Sequence, residues 1–554
     1  MIKAPPLLSA FVVLLTLLVS CGGSGESAEQ REARDKETGL SVLSVAPEND
    51  ADQVETDAVI IVVFNQAIEP GTLNAQTVKV RLGEKAVNVA FELDEDNESL
   101  TITPAGALLA GARYEVALSA SIESSTGESL GSDYQWFFTV SVGQWSIIQS
   151  VNRPSPLNYN CSSIYVDGNG DFSAVSYELS TAFNRYLNNY HFNLAAGWQM
   201  QGEIDSLRYG MVDCPSLSFN SSSDGLAVWA DIDEGVKVSE YINGSGWQEP
   251  ELLSEPTGST NVIRYPVSDV SDNADTVIAW LETNANNQRV IRAGYATSGT
   301  QWAFTSLSQP KSNVTRPQVV IDSTGYATVV WAYTENTEYN VVARRYNPQT
   351  GWADIDLITQ FNTNLGGVPQ LGVDAVGRVM AVWQANRQGE GAIYVSHYSE
   401  AAGWSEPKPL NTSETMAHID PKLAMNASGE AALTWEIVEG AQSVNTSVYG
   451  AFYTPNTGWT TPEPLEQSND RAQDPAISID ASGNATVVWE RVLSPGLQLH
   501  YSRFTKENGW TEGRPINPDS NNSSSDIQLI SRDDGSVMAV WDNAFSGFSY
   551  SVFE

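Results

Sequence analysis

The stretch "DASGNATVVWE" at residues 480–490 decides how the chain is read. A polar turn ending in Gly483 is followed by a short β-branched run that closes on Trp489. Runs of this kind form strands. A D-x-x-G turn joins two of them well, because the Asp side chain caps its own backbone and Gly accepts a positive φ. Relatives of the stretch recur: "DSTGYATVVWA" from Asp322, "DAVGRVMAVWQ" from Asp374 and "NASGEAALTWE" from Asn426. The aromatic residue that closes each hairpin forms a series: Tyr177, Trp229, Trp280, Trp331, Trp383, Trp435, Trp489 and Trp541, spaced 51–54 residues apart. A second tryptophan, usually behind Gly, interleaves with it from Trp145 to Trp510. Each unit reads strand, turn, strand ending in the aromatic, variable loop, third strand, turn, and a fourth strand opening with Gly-Trp. Four strands per unit is the signature of a propeller blade, and the period-2 pattern excludes helical repeats.

The ends of the array complement each other. "GQWSIIQSV" from Gly143 reads as a fourth strand with no unit before it, and the last unit stops at Glu554 after its third strand. Pairing the two would complete an eighth unit and hide strand edges that an open array leaves exposed. The expected fold is all-β, with a closed eight-bladed β-propeller over residues 142–554. Seven blades or an open solenoid are the alternatives.

The composition agrees with more than one buried core, with 41% hydrophobic and 10% aromatic residues over 554 positions. The net charge of −38 repels phosphate backbones and anionic headgroups, which argues against nucleic-acid binding. At the N-terminus, Lys3 precedes the apolar run "LLSAFVVLLTLLV", a length that suits a secretory signal and is too short to span a bilayer. The following "LVSC" at residues 18–21 resembles the lipobox of bacterial lipoproteins. The resemblance implies a signal peptide at 1–20, lipidation of Cys21, and an outer-membrane destination, since Gly22 stands where the inner-membrane retention signal has Asp. Residues 21–40 are small, polar and charged and read as a flexible tether. With Cys21 acylated, Cys161 and Cys214 remain as a possible disulfide in an oxidising envelope.

Residues 41–141 have another texture, with strands such as "AVIIVVFNQ" (58–66), "SLTITP" (99–104) and "ARYEVALS" (112–119). Short alternating strands over about a hundred residues suit a β-sandwich. The segments "SVAPENDADQV", "LTITPAGALLAGARYEVAL" and "YQWFFTV" resemble the SbsA-type bacterial Ig-like domain. That family implies a stalk without chemistry of its own. The later repeats lack the Gly-His and Trp-Asp pair of WD40 units and the Gly-Gly of kelch units. Through "PQTGW" (348–352) and "PNTGW" (455–459) they resemble the sialidase and BNR-like propellers. The Asp of the Asp-box is absent, and neither the arginine triad nor its motif is recognisable.

No zinc, Walker or nucleophile-elbow motif is present in the sequence. His191, His397 and His500 fall singly in third strands and read as isolated polar positions. "DGNGDFSAVSYE" at 167–178 approaches a calcium loop but has Phe172 where Gly is needed, so no cofactor is expected and calcium is only a near miss. The remaining candidate is the face where fourth strands lead into first strands. Proline recurs fourteen residues before the aromatic marker, at Pro215, Pro266, Pro317, Pro369, Pro421 and Pro475, and residues preceding proline are expected to be extended. Tyr265, Arg316, Asp420 and Asp474 precede such prolines, Asp526 is the match in the last unit, and Arg264, His418 and Arg471 accompany them. These eight are the candidate ligand-binding residues.

The reading that follows is an envelope lipoprotein, lipid-anchored at the outer membrane, whose propeller binds a glycan or an envelope protein without catalysis. A carbohydrate-active enzyme on the propeller scaffold and a structural docking protein are the alternatives.

Overall fold

The computed structural model describes residues 39–553 apart from short internal stretches such as 153–160 and 517–523. The signal segment, the lipidation residue Cys21 and most of the tether lie outside the described residues, as do Asp167 and Asn169 of the calcium-like stretch. Among the described residues the structure is all-β, with one short 3-10 turn at Pro70–Thr72. The chain divides into two compact units, the first ending at Ser141 and the second beginning, apart from residues 109–111, at Val142.

The first unit is a two-sheet sandwich. One sheet holds Val42–Ala46, Ile60–Phe64, Ser99–Pro104 and Val89–Leu93. The other is built on Val78–Leu82, Arg113–Leu118 and Tyr134–Val140. Strand alternation puts Ile60, Val62 and Phe64 of the first sheet and Val116, Trp136 and Phe138 of the second inside, each at most 1% exposed. The indole N–H of Trp136 donates to the Pro47 carbonyl at 3.1 Å, so the largest side chain of this core leaves no orphaned donor.

The second unit contains eight antiparallel sheets among the described residues. In chain order, sheets 1 to 7 cover residues 161–207, 216–254, 262–306, 313–361, 370–413, 416–464 and 471–515. Sheet 8 joins Ser524–Ser531, Val537–Asn543 and Gly547–Phe553 to a strand from far upstream, Gln149–Asn152, which pairs antiparallel with Gly547–Phe553. Trp145 forms a further bridge to Phe553.

The marker lies on each second strand; in sheets 2 to 8 its tryptophan packs on the sheet before it, whereas Tyr177 of sheet 1 packs toward Trp229 of sheet 2. Trp331 of sheet 4 meets Ala279, Leu281 and Ile291 of sheet 3. Trp383 meets sheet 4, Trp435 meets sheet 5, and Trp489 meets sheet 6. Trp541 of sheet 8 meets Val488 and Leu499 of sheet 7, while Met538 and Val540 on the opposite face of the same strand meet Ile164 and Phe172 of sheet 1. The seven tryptophans of the series are at most 1% exposed. The period-2 alternation of a strand explains why one second strand serves two neighbours.

Inner strands are tied laterally as well. The Gln528 side chain accepts from the Ile164 N–H at 2.9 Å and donates to the Ser162 carbonyl, linking sheet 8 to sheet 1. Ser216 and Ser268 link sheets 2 and 3, and Ser478 and Ser531 link sheets 7 and 8. The Asp269 carboxylate accepts the Ile321 N–H at 2.9 Å between sheets 3 and 4.

The hairpin turns follow the sequence reading. Asp322 Oδ1 accepts from the N–H groups of Thr324 and Tyr326, and Asn426 Oδ1 does the same for Ser428 and Glu430. Gly325 sits at φ +87°, and a Cβ there would lie 2.6 Å from Asp275 Oδ2 of the sheet before it. Gly is therefore required by conformation and by crowding at once.

Candidate functional site

The recurring X-Pro pair marks a β-bulge. In sheet 3, Arg264 pairs with Leu281 and the next partners are Val267 and Ala279, so Tyr265 and Pro266 together oppose Trp280. The same two-against-one step sets Asp420 and Pro421 against Trp435, Asp474 and Pro475 against Trp489, and Asp526 and Ile527 against Trp541. Tyr265, Asp420, Asp474 and Asp526 lie at φ +51° to +53°. This corrects the expectation that residues ahead of these prolines are extended. Asp526 precedes Ile527 yet shares the conformation, so the bulge imposes it and proline does not. Proline fits the next position because the bulged residue has no ladder partner and needs no second N–H.

A left-handed φ on a non-glycine residue carries strain, and here it is held by the neighbouring sheet. The Tyr265 N–H donates to Asp213 Oδ2 at 2.8 Å, the Asp420 N–H to Gln384 Oε1 at 2.6 Å, and the Asp474 N–H to Glu436 Oε1 at 2.8 Å. Gln384 and Glu436 each follow an aromatic marker directly, so one second strand supplies both the packing tryptophan and the bulge acceptor. Burial pushes the Asp213 and Glu436 carboxyls up, and the accepted N–H bonds pull against that rise.

The candidate residues separate into three groups. Arg264, Tyr265 and Arg316 line one cavity of about 700 Å³ between sheets 3 and 4. Arg471, Asp474 and Asp526 are exposed and Asp420 half-buried on sheets 6 to 8, and none of them lines that cavity. His418 is only 4% exposed and is withdrawn from the surface: its Nδ1 accepts the Trp435 indole N–H at 3.1 Å, and burial lowers its pKa. Its place is structural, beneath the bulge of sheet 6. Cys214 is disulfide-bonded, and the side chain of Cys161 lies outside the described residues.

The cavity draws on residues that sequence reasoning did not single out. Arg289 opens the third strand of sheet 3, and its Nη1 donates to the Val314 carbonyl at 2.9 Å, which fixes the guanidinium at the seam between sheets. Tyr333 adds a half-buried ring with Lys311 Nζ 4.5 Å from its centroid. Tyr339, 1% exposed, closes the far side and donates its hydroxyl to the Gly367 carbonyl. Gly366 is needed against it, because a Cβ there would lie 2.3 Å from the Tyr339 ring. No Asp or Glu is among the described lining residues. The repeat register carried no signal for Arg289 or Tyr339, because the loops ahead of the third strands vary in length.

Residues 36–140 match the Big_5 family, described as a bacterial Ig-like domain. No curated protein matches the chain. Solved structures similar to it include a puromycin hydrolase, with 13% identity, a TM-score of 0.42, and coverage of 70% of this chain and 59% of that one. A polysaccharide lyase gives 9% identity and a TM-score of 0.38 over 60% of this chain and 88% of its own. An α-L-arabinofuranosidase from Fusarium graminearum gives 11% identity and a TM-score of 0.35 over 52% and 92%. At such TM-scores the likenesses carry no argument about activity.

Proposed function

We propose that this chain is a lipid-anchored envelope protein whose second unit, a closed eight-bladed propeller, binds a glycan at the cavity between sheets 3 and 4, with the Ig-like unit as its stalk. Closure is supported by the upstream strand in sheet 8 and by the packing of that sheet on both sheet 7 and sheet 1. Anchoring rests on the lipobox resemblance at Cys21, and Cys161 is the partner we assign to Cys214.

The cavity carries the functional reading. Tyrosine rings beside threonine and asparagine side chains suit a sugar, whose C–H faces stack on aromatics while its hydroxyl edges need hydrogen bonds. Among the described residues the lining lacks the carboxylate pair that acid–base hydrolysis of a glycosidic bond requires, which favours binding over hydrolysis there.

One observation favours the second reading, a carbohydrate-active enzyme. Glu466, between sheets 6 and 7, is 7% exposed and has one carboxylate oxygen without a hydrogen-bond partner among the described residues. Burial pushes its pKa up to about 6, a value suited to a general acid.

A glycan-array screen of the full-length chain in mild detergent, with and without calcium, tests the first reading. Hits lost in Tyr333→Ala are expected. Binding unchanged in that variant would remove the cavity from the account, and a blank array would redirect the search to an envelope protein. Product release from bound glycans, abolished in Glu466→Gln, would establish the second reading.

A further inference from the structure

We infer that the cavity between sheets 3 and 4 selects an acidic saccharide, one carrying a carboxylate or sulfate group, through the guanidinium groups of Arg264, Arg289 and Arg316. The inference rests on the glycan reading of the same cavity. Its starting point is a local reversal of sign: acidic residues outnumber basic ones 67 to 29 in the whole chain, yet among the described residues three arginines and no carboxylate line this cavity.

Nearby charges are arranged so that these arginines stay available. Glu282, on the same sheet, is taken by Arg292 and Asn261, and Glu335 is taken by Lys311. Asp213 is the carboxylate that feels Arg264 and Arg316, but its Oδ2 already accepts the Tyr265 N–H, and burial disfavours its charge. Among the described residues, none of the three arginines forms an ion pair. The Arg289 guanidinium is oriented by its bond to the Val314 carbonyl, and its planar fork has further N–H groups to offer a ligand. Arg264 and Arg316 are exposed and line the cavity from adjacent sheets, Arg264 on the strand Val262–Val270 and Arg316 in the link between the strands Asn313–Val314 and Gln318–Ile321. A guanidinium fork matches the two oxygens of a carboxylate or sulfate, and such charge-assisted bonds are stronger than the neutral bonds a plain sugar offers. The overall negative charge would otherwise repel a polyanionic glycan, so its recognition needs a positive enclave of this kind.

Isothermal titration of the full-length chain tests this with three probes: trigalacturonate, a sulfated galactose trisaccharide, and the neutral galactose trisaccharide. The expected result is binding of at least one acidic probe about tenfold or more tighter than the neutral one, weakening as salt is raised. Arg264→Gln with Arg316→Gln should lose about tenfold or more in acidic-probe affinity at unchanged melting temperature, with partial recovery in the Arg→Lys pair. Trigalacturonate against the sulfated probe distinguishes the two oxyanion sources. Equal binding of neutral and acidic probes, sensitive to Tyr333→Ala, overturns the acidic preference and leaves the glycan reading standing. Absence of binding by all three probes, with hits for other glycans absent from the array, overturns both.

Discussion

The sector formed by sheets 3 and 4 and the sector formed by sheets 6 to 8 share one backbone device and differ in charge. Both carry a bulge opposite the aromatic marker with its first residue at φ near +50°. In the first sector the bulge and its neighbours present Arg264, Tyr265 and Arg316 to a cavity. In the second the positions equivalent to Tyr265 and Arg316 are Asp420, Asp474 and Asp526, outside it. The comparison teaches that the repeat builds the scaffold, while side chains at a backbone position held from the preceding sheet set the chemistry. Side-chain charge is varied here without altering the fold.

The largest effect should come from removing what both sectors share. Trp331→Ala beneath the cavity and Trp435→Ala beneath the acidic sector should each cost about 3–5 kcal/mol in denaturant unfolding, because each leaves a void between sheets. Unequal costs would show that the two sectors differ in packing as well as in charge.

A smaller effect is expected from the bulge anchors. Glu436→Ala leaves the Asp474 N–H without its acceptor and should cost about 1–3 kcal/mol, while Glu436→Gln keeps an acceptor and should cost less. Asp213→Ala should in addition loosen Tyr265 in the cavity wall and weaken glycan binding. If Asp213→Ala leaves binding untouched, the bulge does not position the site.

The two sectors should also differ in the sign of their pH dependence. The Asp269 carboxyl, enclosed between the inner strands of sheets 3 and 4, is pushed up to about 7 by burial. The folded state then holds a proton that the unfolded chain releases near pH 4, so stability declines as pH rises from about 4 through about 7. His500 in sheet 7 is pushed down to about 4 by burial, with Arg491 adding to the shift. Its contribution is present above about pH 6.5 and is lost as pH falls through about 4. Thermal melts across pH 4–8 should show Asp269→Asn flattening the decline toward neutral pH and His500→Gln flattening the acid loss. Identical profiles for both variants would erase this distinction.

Several features of the site stood in the sequence only as punctuation. The prolines at fixed distance from the marker were visible, but the bulge they accompany was not, because a two-against-one step is a relation between strands. His418 looked like a mouth residue by its neighbours in sequence. Its burial follows from strand alternation on a bulged strand, where the extra residue changes which side chains face inward. Arg289 and Tyr339 had no repeat signal, since they begin third strands after loops of unequal length.

By itself the sequence determined the repeat, the four-strand unit, the capped hairpin turns and the Ig-like texture of the first unit, because these depend on contacts within a few tens of residues. Tertiary structure alone decided that each marker tryptophan packs on the preceding sheet, and that three arginines from two sheets share a cavity with no carboxylate among its described lining residues. The physical reason is that turns and strand alternation are local, whereas charge environment, burial and cavity shape are set by neighbours brought together only when the sheets pack.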